Sequence, residues 1–153
     1  MINDYRVKFD VWGLILFLII MLPNFVWFAV PAPHDILRSE SVTPYIDGVA
    51  SVCQVLMVVM LCILQNVKAE KLRIVAGWIR VTLFCVVIYY AAWIAYYMGY
   101  AGNAVVVSLC VFPCIAFLAF EAQRKNILAM VPTALFSVCH LIYGLVNFVL
   151  CRG

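Results

Sequence analysis

Charge is what this sequence has least of. Asp, Glu, Lys and Arg together make up 11% of the 153 residues and hydrophobic residues 68%, whereas soluble globular domains have about 25% and about 45–50%. A water-soluble domain of this size cannot bury so much apolar surface. The composition therefore excludes a water-soluble enzyme, a disordered chain and a nucleic-acid-binding protein. It indicates an integral membrane protein whose principal partner is the lipid bilayer.

Signatures of catalysis and metal binding are absent as well. The sequence has no Cys-x-x-Cys, phosphate loop, Gly-x-Ser-x-Gly or His-Glu-x-x-His. Its seven cysteines lie in or beside apolar runs, where they are expected to be small buried hydrophobes and not disulfide partners. Cys110 and Cys114 do not have the spacing of a zinc site, and His140 alone is weak evidence for haem. We assign no catalytic residue and no metal ligand, and leave the cofactor open.

Uncharged runs predict five transmembrane helices in one all-α domain covering residues 1–153. A bilayer core about 30 Å thick needs about 20 apolar residues of helix. The longest run is divided by a Gly/Asn cluster at 99–103 that is typical of a tight turn. The first run exceeds the roughly 7–15 apolar residues of a signal peptide, so we interpret it as a retained helix. The predicted spans are about 11–32, 46–67, 74–98, 103–120 and 127–150.

The distribution of positive charge predicts the orientation of this bundle. With five spans the termini lie on opposite sides of the membrane. Eight Lys and Arg residues belong to one side and two to the other, which by the positive-inside rule places the N-terminus in the cytoplasm and the C-terminus outside. We expect a multi-pass protein of the plasma (inner) membrane of a prokaryote. The inner set is Arg6, Lys8, Lys68, Lys71, Arg73, Arg80, Arg124 and Lys125, and the outer set is Arg38 and Arg152.

Polar side chains are predicted to gather in the outer half of the bundle. In the fifth span they recur at spacings of four, three, four and three, which places them on one helix face. These residues are Thr133, Ser137, His140, Gly144 and Asn147. In the second span Asp47, Ser51 and Gln54 follow the same spacing. Hydrogen bonding between helices explains such stripes without a ligand, and that alternative stays open.

The inner half is expected to be aliphatic and rich in cysteine. Its one carboxylate, Glu121 at the end of the fourth span, is expected to meet the basic inner loops at the surface.

From this convergence we predict a pocket for a small amphipathic or hydrophobic ligand, bound and possibly transported by the protein. Apolar walls with a few convergent polar groups are the usual pattern of a binding site. The Pro31–Tyr45 connection would act as its lid. The tyrosines of the third span also suit an interfacial belt. The predicted ligand-binding residues are Asn24, Trp27, Gln54, Tyr90, Trp93, Tyr97, His140, Tyr143 and Asn147.

Two further functions compete with ligand binding. The first is a structural or regulatory subunit whose aromatic and cysteine-rich faces pack against a membrane partner or a second copy of the chain. The second is a membrane enzyme that acts on a lipid through His34, Asp35 or His140, although we favour a protein without enzymatic activity.

The overall plan resembles that of the translocator protein family, the tryptophan-rich sensory proteins. The similarity lies in five spans, a long first outer connection, an aromatic third span and a last helix beginning Val131-Pro132. It covers the topology of the whole chain. The family's Trp/Pro-rich signature is replaced here by Pro44-Tyr45-Ile46-Asp47, and the four tryptophans lie elsewhere, so no binding residue is carried over. The resemblance implies binding of porphyrins, sterols or similar amphipathic molecules, and dimers.

Overall fold

Five long helices carry most of the chain in the computed structural model, which describes residues 4–69 and 77–150. Each of these five helices is long and apolar enough to cross a membrane. The prediction of an all-α bundle with five such helices is confirmed. The helices are α1 (Val11–Ala29), α2 (Pro44–Ile63), α3 (Gly77–Tyr97), α4 (Asn103–Gln123) and α5 (Ile127–Leu145), and α5 continues as a π-helical turn (Val146–Leu150).

Local sequence signals explain where the helices begin and end. Asp10 caps α1, since its carboxylate accepts hydrogen bonds from the amides of Trp12 (3.1 Å) and Gly13 (3.4 Å). Pro44 occupies the first turn of α2, where its missing N–H costs no helical hydrogen bond. The turn after α3 contains Gly99 at φ 90°, a conformation that favours glycine. The predicted start of the third span at residue 74 lies outside the described residues.

A short antiparallel sheet was not expected from the sequence. Strand β1 (Tyr5–Val7) pairs with β2 (Leu64–Asn66), with Arg6 opposite Gln65. Helix α2 therefore ends at residue 63, and the predicted extension of the second span to residue 67 is wrong. The backbone of residues 64–66 is satisfied by the partner strand, which no local pattern in either segment indicates.

The helices form a closed ring in the order α1, α2, α5, α4, α3. The closest packing is of α3 on α4, α2 on α5 and α4 on α5, and α1 packs more lightly on α2 and α3. Consecutive helices alternate in direction. We call the end that carries the connection of residues 30–43 the loop end, and the end that carries β1 and β2 the strand end.

Helix α1 is held to α3 by tyrosine hydroxyl groups. Pro23 cannot donate a helical hydrogen bond, which frees the carbonyl oxygen of Ile19 within α1. The hydroxyl of Tyr90 donates to this oxygen at 2.6 Å, and the hydroxyl of Tyr97 donates to Val30 O at 2.8 Å. The described parts of α1 and α2 share no hydrogen bond, and the two helices approach closely where Gly13 faces the backbone of Leu61.

The exposed surface of the bundle is apolar along its helices. On α3 the side chains of Phe84, Val87 and Ile94 are 62%, 66% and 61% exposed. On α5, Leu135 and Val138 are exposed, whereas the polar stripe through Thr133 and Ser137 is buried. This division places apolar side chains where lipid would contact the bundle and polar ones between helices.

Candidate functional site

A cavity of about 320 Å³ lies inside the ring, and all five helices line it. Its walls are mainly aromatic and aliphatic, and Leu37 covers it from the loop end. Within the described residues, no Asp, Glu, Lys or Arg lines the cavity. A site of this size and composition suits a small uncharged molecule. The apolar and aromatic lining includes Phe17, Ile20, Met21, Trp27, Met57, Tyr89, Trp93, Leu109, Phe117, Phe136 and Phe148.

Besides the indole of Trp93, three polar side chains in the lining have no hydrogen-bond partner among the described residues. Gln54 comes from α2, and His140 and Tyr143 come from α5. A fourth polar residue, Asn24, donates through Nδ2 to Tyr89 Oη at 2.7 Å and to Ile20 O at 3.1 Å. Polar groups in an apolar interior are normally hydrogen-bonded. Unpaired groups from two helices that face one cavity are therefore available to a ligand or to water.

Aromatic rings order two walls of the cavity. On α5 the His140 ring is stacked against Phe136 at a centroid distance of 5.1 Å and an interplanar angle of 16°. It is also stacked against Tyr143 at 6.3 Å and 18°. On the facing wall Trp93 lies 6.5 Å from Trp27. The buried indole N–H of Trp93 has no hydrogen-bond partner. These contacts fix the planes of the rings and so give the cavity a defined shape.

The structure brings six of the nine predicted ligand-binding residues to this cavity. Those that line it are Asn24, Trp27, Gln54, Trp93, His140 and Tyr143. Tyr90, Tyr97 and Asn147 do not line it. Tyr90 bonds to the backbone of α1 at Ile19, and Tyr97 bonds to Val30 O directly after that helix. Asn147 instead holds the end of α5 to the loop, since its Oδ1 accepts from Val42 N at 2.7 Å and its Nδ2 donates to Thr43 Oγ1 at 2.9 Å.

The connection over the cavity is fastened through Asp35. Its carboxylate accepts hydrogen bonds from Trp27 Nε1 (2.9 Å), Tyr96 Oη (2.8 Å), Arg38 Nε (2.8 Å) and Ala32 N (3.3 Å). The Arg38 guanidinium also lies over the Trp27 ring at 4.9 Å. Burial raises the pKa of Asp35, but these hydrogen bonds outweigh burial and lower the pKa below its ordinary value. Both carboxylate oxygens are occupied, so Asp35 is a structural anchor and is poorly placed to act as a base.

Sequence reasoning missed several residues of the lining. Phe136 lies one helical turn before His140, and Tyr89 lies one turn before Trp93, so helical spacing could have found both. Met57 is one turn from Gln54 by the same rule. Phe148 had no such signal, because the π-helical turn after α5 changes the register of its side chains.

The sequence analysis expects the strand-end half of the bundle to be aliphatic and rich in cysteine. The structure instead places a carboxyl group in it. Glu121 is fully buried between α4 and α5, where Thr133 contacts it, so the expectation that it meets basic loops at the surface is wrong. Arg124, directly after the end of α4, pairs with Asp10 at 2.6 Å. Across residues 4–69 and 77–150, no three His, Cys, Asp or Glu side chains are grouped to hold a metal ion.

Comparisons with known proteins give no match: no protein-family model, no curated protein and no solved structure resembles the chain significantly.

Proposed function

We propose that this protein is a multi-pass membrane protein that binds a small, uncharged, amphipathic molecule in the loop-end cavity. The ligand's apolar part packs against the aromatic walls, and its polar end bonds to Gln54, His140 and Tyr143. One observation carries the proposal: these three side chains face one cavity without partners of their own in the described chain. Residues that served only as bonds between helices would be paired with one another.

The absence of charge in the lining selects among the ligands that the translocator protein resemblance implies. A molecule with carboxylate groups, such as a porphyrin, would need cationic partners when removed from water. The described lining has none. A neutral molecule with one or two hydrogen-bonding groups and a compact apolar body, such as a sterol, fits this wall chemistry better.

The orientation and the membrane are part of the same proposal. With the N-terminus in the cytoplasm, the loop end and its cavity lie in the outer half of a prokaryotic plasma membrane, and the ligand enters from the outer leaflet. A single cysteine at Glu40→Cys in an otherwise cysteine-free chain tests this orientation. It should react with a membrane-impermeant maleimide in intact cells, and a reaction that needs broken cells would reverse the orientation.

Native mass spectrometry of the protein in mild detergent tests ligand binding. We expect a bound small molecule on the wild type. His140→Phe preserves ring stacking with Phe136 and removes hydrogen bonding, and Gln54→Leu preserves volume. Losing one hydrogen bond costs about 1 kcal/mol, so each variant should weaken binding roughly fivefold. The same spectra give the number of chains in each complex.

Ser108→Ala is the matched control for both variants. Ser108 is a polar residue of α4 that bonds to Ala104 O and does not line the cavity. Its replacement should leave the bound molecule in place. If His140→Phe and Gln54→Leu lower the melting temperature without ligand but leave the adduct unchanged, the two residues serve packing and the ligand-binding proposal fails. A second protein that stays bound through purification would favour the role of a subunit.

A further inference from the structure

A buried carboxyl group that takes no part in the proposed ligand binding lies at the interface between α4 and α5, which we call the seam. Glu121 lies on α4, two residues before that helix ends, and its side chain is 0% exposed. Its Oε1 lies 2.6 Å from Thr133 Oγ1 on α5. Its Oε2 is buried and has no hydrogen-bond partner. If Glu121 were ionised, both carboxylate oxygens would be removed from water, and a single hydrogen bond would replace their hydration.

The charged and titratable groups around this seam are engaged elsewhere. Arg124, on the next turn of the chain, bonds to Asp10 through Nε at 3.0 Å and through a terminal nitrogen at 2.6 Å. From α5 the group that faces Glu121 is the Thr133 hydroxyl, and Ser137 donates to Thr133 O at 2.7 Å. No cation in the described chain forms a salt bridge with Glu121.

The number of protons available at Thr133 favours Glu121 as the donor. Its single hydroxyl proton has two oxygens within reach, Ala129 O at 2.8 Å and Glu121 Oε1 at 2.6 Å. A hydroxyl donates one hydrogen bond and accepts others. Both contacts are full, separate hydrogen bonds when Thr133 donates to Ala129 O and a protonated Glu121 donates to Thr133 Oγ1, whereas an ionised Glu121 would have to share the one hydroxyl proton with Ala129 O. In the first arrangement Glu121 carries a proton on Oε1.

We propose that Glu121 is a proton-binding site: the folded bundle holds one proton on this carboxyl group at neutral pH. The neutral acid closes the seam between α4 and α5. When the two helices separate and water reaches Oε2, the group ionises and releases the proton to water. Opening of this seam is thereby linked to release of one proton per chain. The site is separate from the loop-end cavity, so this proposal does not depend on the proposal of ligand binding.

Infrared spectroscopy of the purified protein at pH 7 tests the protonation state. A protonated carboxyl group has a C=O band separate from the amide and carboxylate bands, and this band shifts in deuterated water. We expect the band in the wild type and in Glu40→Gln, which changes an exposed loop carboxylate, and we expect its loss in Glu121→Gln. Thr133→Val should shift the band without removing it. Absence of the band from the wild type, or its persistence in Glu121→Gln, overturns the proposal.

Proton release on denaturation is a second measurement, which needs no folded Glu121 variant. Unfolded glutamate ionises at pH values near 4.3, so denaturing the wild type at pH 7 in weak buffer should release about one proton per chain. The folding equilibrium constant should fall by about tenfold per pH unit over the range in which only the folded state holds the proton. Release of no proton by the wild type would show that Glu121 is already ionised in the bundle.

Discussion

Replacing Gly13 by alanine tests the packing that closes the helix ring. A Cβ atom at Gly13 would lie 2.7 Å from Leu61 O and 3.1 Å from Leu61 Cγ. Carbon and oxygen atoms in contact are normally well beyond 3 Å apart. Because the nearer atom belongs to the backbone of α2, no side-chain rotation relieves the overlap. Helix α1 must move away from α2 by several tenths of an ångström, which disturbs the wall of the cavity that α1 provides.

The expected size of the effect follows from two opposing contributions. Overpacking in a well-filled interior costs about 1–3 kcal/mol. Exchange of glycine for alanine inside a helix recovers up to about 1 kcal/mol. We therefore expect Gly13→Ala to lower the free energy of unfolding by about 1–2 kcal/mol. Gly48→Ala is the matched control, because a Cβ at Gly48 meets nothing within 4 Å. It should raise that free energy by about 0.5–1 kcal/mol.

Titration of both variants with sodium dodecyl sulfate in mixed micelles, followed by circular dichroism, measures this difference. The contrast between the two glycines is the test, since both lie in helices and both gain the same methyl group. A Gly13→Ala protein as stable as Gly48→Ala would refute the close approach of α1 and α2. The placement of α1 beside α2 in the helix ring would then be wrong.

Three further predictions concern other contacts of the bundle. A Cβ at Gly144 would overlap Cys110 Sγ, so Gly144→Ala should lower the melting temperature. Adding Cys110→Ala should restore much of the lost stability. No recovery in the double variant would argue against this contact between α4 and α5. Because the folded state lowers the pKa of Asp35 below its ordinary 3.8, the stabilisation from this carboxylate is complete above that value and is lost as the pH falls through the folded pKa. Thermal melts between pH 7 and pH 2 should therefore show an acid loss that Asp35→Asn reduces, and an unchanged profile would contradict the anchoring of the loop. Asp10→Ala removes both a helix cap and a charged partner of Arg124, and its cost of about 3–5 kcal/mol should exceed that of Asp10→Asn, which also loses the ion pair but keeps a capping side chain. Equal melting temperatures for the two variants would show that the cap contributes little.

Part of the candidate site was predictable because helical spacing and burial act together. Gln54, His140 and Tyr143 lie on faces that the positions of polar residues already indicate, and a polar face in an apolar helix has to point towards other helices. Residues one turn away, such as Phe136, follow from the same geometry. Tyr90 and Tyr97 lie outside the cavity lining, because each donates its hydroxyl hydrogen to a backbone carbonyl group, that of Ile19 or Val30. Which carbonyl is free depends on Pro23 and on the packing of α1.

Glu121 shows where pattern reasoning fails. A carboxylate close to a basic loop in the sequence is expected to pair with it, since opposite charges attract. In the folded chain Asp10 pairs with Arg124, and Tyr5 of β1 and Asn66 of β2 both donate to Lys125 O beside the end of α4. The pairing of Asp10 with Arg124 connects residues 114 positions apart, and no local signal in either segment contains it.

The sequence by itself determined the all-α class and the five long apolar helices that the described residues form. Long uncharged runs have one stable solution in a bilayer, helices that satisfy their own backbone, and each run is visible without knowing its neighbours. The order of the helices around the ring, the cavity, the fastening of the loop by Asp35 and the burial of Glu121 were decided only by tertiary structure. These features depend on which apolar faces meet, and many pairings of such similar faces satisfy the same sequence pattern.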